Sequence, residues 1–369
     1  MAMLCLKPPM GWNAWNTFGH ADIKESVVLE TADAMVKNGY LELGYDTLTV
    51  DDCWMAPTRG EDGQLRANEE RFPHGMKFIG DYLHERGLKF GIYSDCGTMT
   101  CAGLAASYGF EREDARTFAS WGVDYLKYDG CYRAPGADTV VLYRRMGQAL
   151  RECGRDIVFS GCCAMKDVWK WMRTSGAQMW RVADDILDSW KDIKRVGLGA
   201  FGLEAYTGPC GWNDTDMLVV GVDGKGWVGG IGGGCTDVEY RTHFALWCML
   251  GAPLFMGHDI RNERPEIREI LQNKELIAID QDDLAVAGYR IADNVFAKPL
   301  YGGDIACCVV NEDDVWHYYS LSWEQCGLEV TDSVKIRDCI NHKDLGIVKR
   351  NMTVRVEPHD CLVYRITRI

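Results

Sequence analysis

The stretch YLKYDGC at residues 125–131 is a short strand-forming run that ends in a charged residue and a glycine. Aromatic and branched residues favour a strand over 125–129, and Gly130 marks its end. Downstream, apolar residues recur at helical spacing over 139–152, which predicts an amphipathic helix. A strand followed by such a helix is the repeating unit of parallel β/α proteins.

The same unit recurs eight times between residue 9 and about residue 280. Strands are predicted at 10–15, 47–52, 90–95, 125–129, 157–161, 178–183, 211–217 and 253–256. Helices are predicted at 26–38, 76–86, 111–121, 139–152, 169–174, 189–196, 236–250 and 265–279. Eight units in a segment of this size match a closed (β/α)₈ TIM barrel better than a doubly wound sheet.

Beyond residue 282 the pattern changes to short alternating segments separated by turn residues. Strands are predicted there at 305–310, 315–321, 328–330, 334–336, 354–356 and 361–364. This spacing is typical of an antiparallel β-sandwich. The predicted domains are therefore a catalytic barrel over 1–282 and a C-terminal β-sandwich over 283–369.

Composition excludes several classes of protein. The chain carries 40 lysines and arginines against 54 aspartates and glutamates, a net charge of −14, which disfavours nucleic acid as a partner. No apolar run is long enough for a membrane span, and the first residues lack the features of a signal peptide, so a cytoplasmic location is expected for the chain as given, and a secreted or lysosomal one if it was trimmed. The 16 cysteines have no zinc-ligand spacing, so we expect no metal and mostly reduced thiols.

Acidic residues gather where the predicted barrel strands end, which is where a parallel barrel places its catalytic groups. These acids are Asp51, Asp52, Asp95, Asp129, Asp184, Asp185, Asp214 and Asp216. The aromatic residues that accompany them are Trp12, Trp15, Trp54, Tyr93, Trp180 and Trp212. Carboxylates accept hydroxyl hydrogen bonds and aromatic faces cover C–H patches, so the set predicts a pocket for a neutral sugar.

Two of these acids suit opposite roles in glycoside hydrolysis. Lys127 and Asp129 lie two apart on one strand and share a face, so the lysine is expected to keep Asp129 ionised as a nucleophile. Asp185, four residues after Arg181, is the predicted proton donor, a role that needs a less cationic setting.

The run GKGWVG at 224–229 fits a dinucleotide-binding glycine pattern, which would indicate a dehydrogenase. It continues into further glycines, and helical character is expected to resume only at Thr236. We therefore predict a flexible loop that covers the sugar pocket or makes a subunit contact.

Six segments carry a specific resemblance. They are PPMGWNAW (8–15), VDDCW (50–54), RFPHG (71–75), GIYSD (91–95), YLKYDGC (125–131) and GWNDTDM (211–217). In this order they resemble glycoside hydrolase family 27, the α-galactosidases and α-N-acetylgalactosaminidases. The resemblance implies a retaining exo-glycosidase acting on terminal α-D-galactosyl residues, with Asp129 as nucleophile and Asp185 as general acid/base. It further implies substrate contacts from Asp51, Asp52, Lys127, Arg181 and Asp216, and pocket walls from Trp15 and Tyr93.

The resemblance also implies a disulfide between Cys101 and Cys131, and no cofactor. The expected partner is a galactoside, or a related oligosaccharide or glycoconjugate. Assembly of the chain into a homo-oligomer is left as an alternative to a monomer. After strand five the chain departs from the family pattern, and Cys162 takes the position that contacts the sugar's 2-substituent. An α-N-acetylgalactosaminidase and a β-L-arabinopyranosidase therefore remain alternatives, as does a non-catalytic galactose-binding protein.

Overall fold

Eight parallel strands form the first part of the molecule. The computed structural model describes residues 3–163 and 165–369 of the chain. The strands are β1 (Met10–Asn13), β2 (Thr47–Val50), β3 (Lys89–Asp95), β4 (Tyr125–Asp129), β5 (Val158–Cys162), β6 (Met179–Arg181), β7 (Trp212–Asp214) and β8 (Leu254–Met256). Their order in the sheet is β7-β6-β5-β4-β3-β2-β1-β8, and a parallel bridge from Leu218 to Met256 joins the two ends. The sheet is therefore closed, as predicted for a barrel.

Helices follow the strands around the outside. They are α1 (Trp15–Asp22), α2 (Glu25–Lys37), α3 (Gly75–Glu85), α4 (Glu111–Ser120), α5 (Thr139–Glu152), α6 (Trp190–Ile193), α7 (Gly226–Gly232), α8 (Asp237–Leu250), α9 (Pro265–Leu271) and α10 (Lys274–Asp280). Their ends follow local chemistry. The side chain of Thr236 accepts from the Glu239 amide while Glu239 accepts from the Thr236 amide, a capping box that starts α8. Gly251, with φ of 62°, ends it.

The second part is antiparallel. Its strands are β9 (Tyr289–Ala292), β10 (Val295–Pro299), β11 (Ile305–Val310), β12 (His317–Ser322), β13 (Ser333–Asp338), β14 (Lys343–Lys349), β15 (Asn351–Val356) and β16 (Cys361–Arg368). Six of them form a sheet in the order β14-β13-β16-β11-β10-β9, and β12 pairs with β15. Val309 and Ile336 of the larger sheet share a buried core with Leu321 and Val356 of the smaller one. The predicted fold class, a TIM barrel followed by a β-sandwich, is confirmed.

Four predictions of local structure were wrong. The helix expected at 169–174 is two short 3₁₀ turns, Val168–Lys170 and Met172–Ser175. The helix expected at 265–279 is interrupted, because the side chain of Asn273 accepts from the amides of Glu275 and Leu276 and so starts α10 anew.

In the sandwich, 328–330 forms no strand, whereas β9, β10 and β14 were not predicted. These three strands lack a clear apolar alternation in sequence.

The fourth error is the glycine-rich segment, which was predicted to be a loop and contains α7. Two glycines set the position of this helix against α1. Gly226 has φ of 65°, and a side chain there would overlap the carbonyl oxygen of Thr17. A Cβ on Gly19, in α1, would lie 3.0 Å from the Cβ of Trp227. The glycines therefore serve close helix contact rather than phosphate binding.

In the described part of the chain, every helix is too short or too polar to span a membrane.

Candidate active site

A cavity of about 290 Å³ opens at the carboxyl ends of the barrel strands. All ten residues predicted from sequence line it: Trp15, Asp51, Asp52, Tyr93, Lys127, Asp129, Cys162, Arg181, Asp185 and Asp216. They come from β1 through β7 or from the residues that follow these strands. The barrel closure therefore brings together side chains that lie up to 201 residues apart in the chain, from Trp15 to Asp216.

Asp51 and Lys127 form a buried ion pair on one wall of the cavity. The Lys127 amine donates to Asp51 Oδ2 at 2.7 Å, and the two side chains are only 13% and 2% exposed. Asn13 Nδ2 donates to the same oxygen at 2.6 Å, and the amide of Asp52 donates to Asp51 Oδ1 at 2.8 Å. Burial disfavours the charged amine, but Asp51, together with Cys162 and Asp129, outweighs it and holds the pKa of Lys127 well above its ordinary value.

Asp52 is held by the backbone instead. The amide of Cys53 donates to its Oδ1 at 2.7 Å, and the amide of Ala102 donates to its Oδ2 at 3.0 Å. Burial raises the pKa of Asp52, and these two hydrogen bonds oppose the rise. The carboxylate is fixed in place and still faces the cavity.

Asp129 ends β4 beside Tyr93 of β3. The Tyr93 hydroxyl donates to Asp129 Oδ2 at 3.1 Å, and the Gly130 amide donates to Oδ1 at 2.8 Å. Burial raises the pKa of Asp129 to about 6, even though Lys127 and the Gly130 amide act to lower it. The carboxylate is therefore ionised at neutral pH and protonated in acid.

The disulfide between Cys101 and Cys131 packs against this carboxylate, with Cys101 Sγ 3.5 Å from Asp129 Oδ2. The other 14 cysteines are unbonded. Asp95 lies behind the pair, where burial and the charge of Asp129 raise its pKa to about 8.

Asp95, Cys101, Asp129 and Cys131 place possible ligand atoms within 4.8 Å of one another. Two of these atoms are joined as a disulfide and offer no thiolate to a metal. The Asp95 oxygens already accept from the amides of Gly97 and Cys131. The arrangement suits a positioned carboxylate better than a metal centre.

On the opposite wall of the cavity, Arg181 connects Asp185 and Asp216. Its guanidinium contacts Asp185 Oδ1 at 2.9 Å and Asp216 Oδ1 at 3.1 Å. It also approaches Cys162 Sγ at 3.5 Å. Asp216, with φ of 69°, is held in turn by the Ile186 amide, which donates to its Oδ2 at 2.8 Å.

The charge setting expected for Asp185 was wrong, whereas Lys127 acts to lower the pKa of Asp129 as expected. Lys127 pairs with Asp51 rather than directly with Asp129. Asp185 does not lie in a less cationic setting. Desolvation by the surrounding protein acts to raise its pKa, but Arg181, together with Lys127 and Arg195, outweighs that effect. The pKa of Asp185 therefore lies below its ordinary value. The side chain of Asp185 is 82% exposed at the cavity mouth, which leaves room for a ligand to change this setting.

Three of the eight strand-end acids lie outside the cavity lining: Asp95, Asp184 and Asp214. Of the six aromatic residues proposed to line the pocket, only Trp15 and Tyr93 do so. The other four are 0–1% exposed and belong to the core: Trp12, Trp54, Trp180 and Trp212. The indole of Trp54, for example, donates to the Tyr93 carbonyl at 2.8 Å and supports the wall from behind.

Comparison with known proteins decides the family. Residues 7–282 match the family model described as alpha galactosidase A, and residues 293–366 match the alpha galactosidase C-terminal beta sandwich domain. The chain belongs to the α-galactosidase family. Alpha-galactosidase 3 of Arabidopsis thaliana is 41% identical, with 99% of this chain and 82% of the relative covered. Alpha-galactosidase A of Homo sapiens is 39% identical, over 85% of this chain and 76% of the relative.

Solved structures agree. Alpha-galactosidase I from Mortierella vinacea matches with a TM-score of 0.92 and 32% identity, covering 98% of this chain and 97% of that one. The resemblance inferred from the six motifs is thus confirmed, and the chain is a glycoside hydrolase. All ten predicted site residues fall within the part that matches the α-galactosidase model.

The glycine-rich segment, which was predicted to cover the sugar pocket or make a subunit contact, supplies one wall of the cavity in this α-galactosidase family member, although none of its residues was predicted to line it. Trp227, Val228 and Ile231 of α7 line it, and the Trp227 ring lies 6.2 Å from that of Trp15 in an edge contact. The signal available in the sequence was the tryptophan inside the glycine-rich run, which is out of place in a flexible loop. Asn13, which orients Asp51, was likewise quoted in a motif but given no role.

Proposed function

We propose that this chain hydrolyses terminal α-D-galactosyl residues with retention of configuration. The observation that carries the proposal is that Asp129 and Asp185 line one cavity together with the acids and cations that a hydroxyl-rich ring needs. The names of the relatives support the galactosyl group as the substrate. A structure of the Saccharomyces cerevisiae α-galactosidase with raffinose supports an oligosaccharide as the larger ligand.

Binding of the sugar uses both walls. Asp51 and Asp52 accept hydrogen bonds from hydroxyls on one edge of the ring, and Lys127 donates to a neighbouring oxygen. Arg181 and Asp216 bind the opposite edge, while Trp15 and Tyr93 enclose the ring faces. Cys162 lies 8% exposed between these walls and contacts the 2-substituent.

Catalysis then takes two displacements. The ionised Asp129 attacks the anomeric carbon and forms an ester bond, while Asp185 gives its proton to the departing glycosidic oxygen. Water enters in the second step, loses its proton to Asp185 and breaks the ester, which restores both acids. The Tyr93 hydroxyl and the Gly130 amide hold the Asp129 oxygens in position for both steps.

Asp185 must carry a proton at the start, although Arg181 favours its ionised form. The bound sugar takes up hydrogen bonds from Arg181 and covers the exposed carboxyl group of Asp185. Both changes raise the pKa of Asp185, because they weaken a cationic partner and remove water.

The test is hydrolysis of 4-nitrophenyl α-galactoside, with the first-formed sugar observed by NMR. The α anomer must appear first. The variants Asp129→Asn and Asp185→Asn are expected to lose at least 10³-fold in kcat/KM or kcat on unactivated galactosides. Asp184→Asn is the matched control, because Asp184 is the adjacent exposed acid and lies outside the cavity lining.

Rates on an α-N-acetylgalactosaminide and a β-L-arabinopyranoside separate the alternatives. Faster turnover of either substrate would replace galactose as the preferred sugar. Galactose binding without turnover of any of the three would identify a non-catalytic binding protein and contradict the proposal.

A further inference from the structure

One buried carboxylate close to the sugar cavity has no part in the proposed reaction. Asp188 is fully buried, lies three residues after Asp185 in the segment between β6 and α6, and is not among the residues that line the cavity. Burial raises the pKa of Asp188, and hydrogen bonds from Gly224, Tyr240 and Cys235 oppose the rise. These three donors are neutral. A carboxylate buried among neutral donors is costly, so its contribution is the geometry of the groups that it holds.

Asp188 holds both ends of the glycine-rich segment that contains α7. Its Oδ2 accepts from the Gly224 amide at 2.8 Å, two residues before α7 begins. Its backbone carbonyl accepts from the Gly234 amide at 2.9 Å, two residues after α7 ends. The end of α7 also packs on the same residue, because a Cβ on Gly232 would lie within 2.6 Å of the Asp188 backbone. Glycines give this segment little helical preference of its own, so such contacts decide where α7 lies.

Tyr240 of α8 connects the same carboxylate to the start of the glycine-rich segment. Its hydroxyl donates to the Asp188 carboxylate, at 2.9 Å from Oδ1 and 3.0 Å from Oδ2. The same hydroxyl accepts from the Asp223 amide at 2.8 Å. The Tyr240 ring is fully buried, which fixes the position of the hydroxyl. The segment after β6, the α7 segment and α8 therefore meet at one carboxylate.

The segment that carries Asp185 has anchors that do not involve the Asp188 side chain. The Ile186 amide donates to Asp216 Oδ2 at 2.8 Å, and the Arg195 guanidinium donates to the Asp185 carbonyl at 2.8 Å. Both contacts remain if the Asp188 side chain is removed. Loss of this side chain is therefore expected to displace α7 and to leave Asp185 in place.

The part of the cavity that would move is the wall formed by α7. Trp227, Val228 and Ile231 line the sugar cavity, and the Trp227 ring lies 6.2 Å from the ring of Trp15 on the neighbouring wall. Because the Asp188 carboxylate lies behind this wall, it can act on a bound sugar only through the position of α7.

We propose that Asp188 is a positioning residue for the sugar cavity, which holds α7, and with it Trp227, against the segment that carries Asp185. The proposal rests on the proposed galactosidase function and deepens it, because it assigns to this carboxylate the binding of the sugar and not the chemical step. A wall that contacts the sugar equally in the ground state and in the transition state lowers KM without changing kcat.

The test is steady-state hydrolysis of 4-nitrophenyl α-galactoside by Asp188→Ala. We expect KM to rise about tenfold and kcat to fall less than about threefold. The inhibition constant of galactose should rise by the same factor as KM, since it measures binding without turnover. In Asp188→Asn, KM should stay within about threefold of the wild-type value, because the amide oxygen still accepts from the Gly224 amide. An unchanged KM in Asp188→Ala, or a loss carried by kcat, would overturn the proposal.

Asp338→Ala is the matched control. Asp338 is 7% exposed in the sandwich and accepts from the amides of Ile340, at 3.0 Å, and Asn341, at 2.9 Å. Its removal also frees buried backbone donors but leaves α7 untouched, so KM should not change even if the urea midpoint falls as far as in Asp188→Ala. An equal rise of KM in both variants would attribute the effect to general destabilisation and overturn the proposal.

Tyr240→Phe covers the case in which Asp188→Ala fails to fold. It removes one hydroxyl and its contacts with Asp188 and Asp223, while the ring still fills its place. We expect KM to rise about threefold in the wild-type background and not to rise further in Trp227→Ala, where the residue that α7 positions is already gone. Additive effects on KM would overturn the route through Trp227.

Failure of the galactosidase function would be distinguishable from failure of this proposal. Absence of wild-type turnover of 4-nitrophenyl α-galactoside would refute the function. The affinity for galactose, measured by calorimetry in the wild type and in Asp188→Ala, would then still test the position of α7: about tenfold weaker binding in the variant supports the proposal, and equal binding overturns it.

Discussion

Removal of the Lys127 amine tests the electrostatic design of the sugar pocket. In Lys127→Met, Asp51 stays buried at 2% exposure without its cation, which lay 2.7 Å away. Breaking a buried ion pair by removing one partner costs about 3–5 kcal/mol in the free energy of unfolding. Asp51 keeps its hydrogen bonds from Asn13 and from the Asp52 amide, so we expect the lower end, about 3 kcal/mol.

The assay is urea unfolding at pH 7, with Lys77→Met as the control. Lys77 pairs with Asp81 at 2.8 Å, but both side chains are more than half exposed, at 63% and 57%. Exposed pairs contribute about 0.2–1 kcal/mol, so the control should lose less than about 1 kcal/mol.

A double variant separates the unpaired charge from lost packing. Lys127→Met with Asp51→Asn removes the uncompensated carboxylate, and we expect it to recover about 2 kcal/mol of the loss seen in Lys127→Met. If Lys127→Met is no less stable than Lys77→Met, or if Asp51→Asn restores nothing, the description of Asp51 as a buried charge dependent on Lys127 is refuted.

Three further predictions concern catalysis and the pocket walls. Because burial raises the pKa of Asp129 to about 6, acidification protonates this proposed nucleophile, and kcat/KM for 2,4-dinitrophenyl α-galactoside should fall about tenfold per pH unit below that value. The charge of Asp185 raises the pKa of Asp129. The pH–rate profile of Asp185→Asn should therefore decline at lower pH than that of the wild type. Replacement of both Cys101 and Cys131 by serine opens a loop with a sequence separation of 30 and should cost about 3 kcal/mol in urea unfolding without reductant, whereas an unchanged midpoint would contradict a stabilising bond. Gly226→Ala should raise KM for 4-nitrophenyl α-galactoside more than it lowers kcat, because the new side chain overlaps Thr17 and displaces α7 from the mouth; a loss confined to kcat would count against this role.

The polar strand ends of the barrel were predictable because two simple constraints meet there. A parallel strand is buried on both faces, so an acid such as Asp51 or Asp129 is tolerated only at its ends, and barrels place their sites at the carboxyl end. All strands of a closed barrel end on the same rim, so acids in that position gather there, and five of the eight line the cavity. The sequence therefore identified the cavity residues without any knowledge of distances.

The tryptophans show where this reasoning fails. Trp12 and Trp15 lie three residues apart in one motif, yet Trp12 is fully buried and donates to the His258 carbonyl at 2.8 Å, whereas Trp15 reaches the cavity. Side-chain direction changes at this point because the strand ends at Asn13 and α1 begins at Trp15. The sequence pattern placed that change two residues too late. Residues three apart on a strand face opposite sides, so even the predicted strand could not have placed both tryptophans in the pocket.

The position of α7 could not be derived from local sequence either. Six of the residues from Gly224 to Gly233 are glycines, which disfavour a helix in isolation by about 0.5–1 kcal/mol each relative to alanine. Contact with α1 offsets this preference, and the glycines that weaken the helix are also the ones that permit the contact. Local propensity and tertiary packing therefore point in opposite directions, and packing prevails.

Tertiary contacts also set the charges of the sugar cavity. Five carboxylates line the sugar cavity, and two cations, Lys127 and Arg181, serve them. Arg181 divides its guanidinium between Asp185 and Asp216, which favours the ionised form of Asp185, the proposed proton donor, until a ligand competes for that cation. A neutral sugar adds hydroxyl groups that satisfy both kinds of partner without adding charge. Sugar binding can then leave Asp129 ionised near Lys127 and, at the same time, favour the protonated form of Asp185. The two acids would thus acquire their proposed opposite roles from the substrate and not from the fold alone.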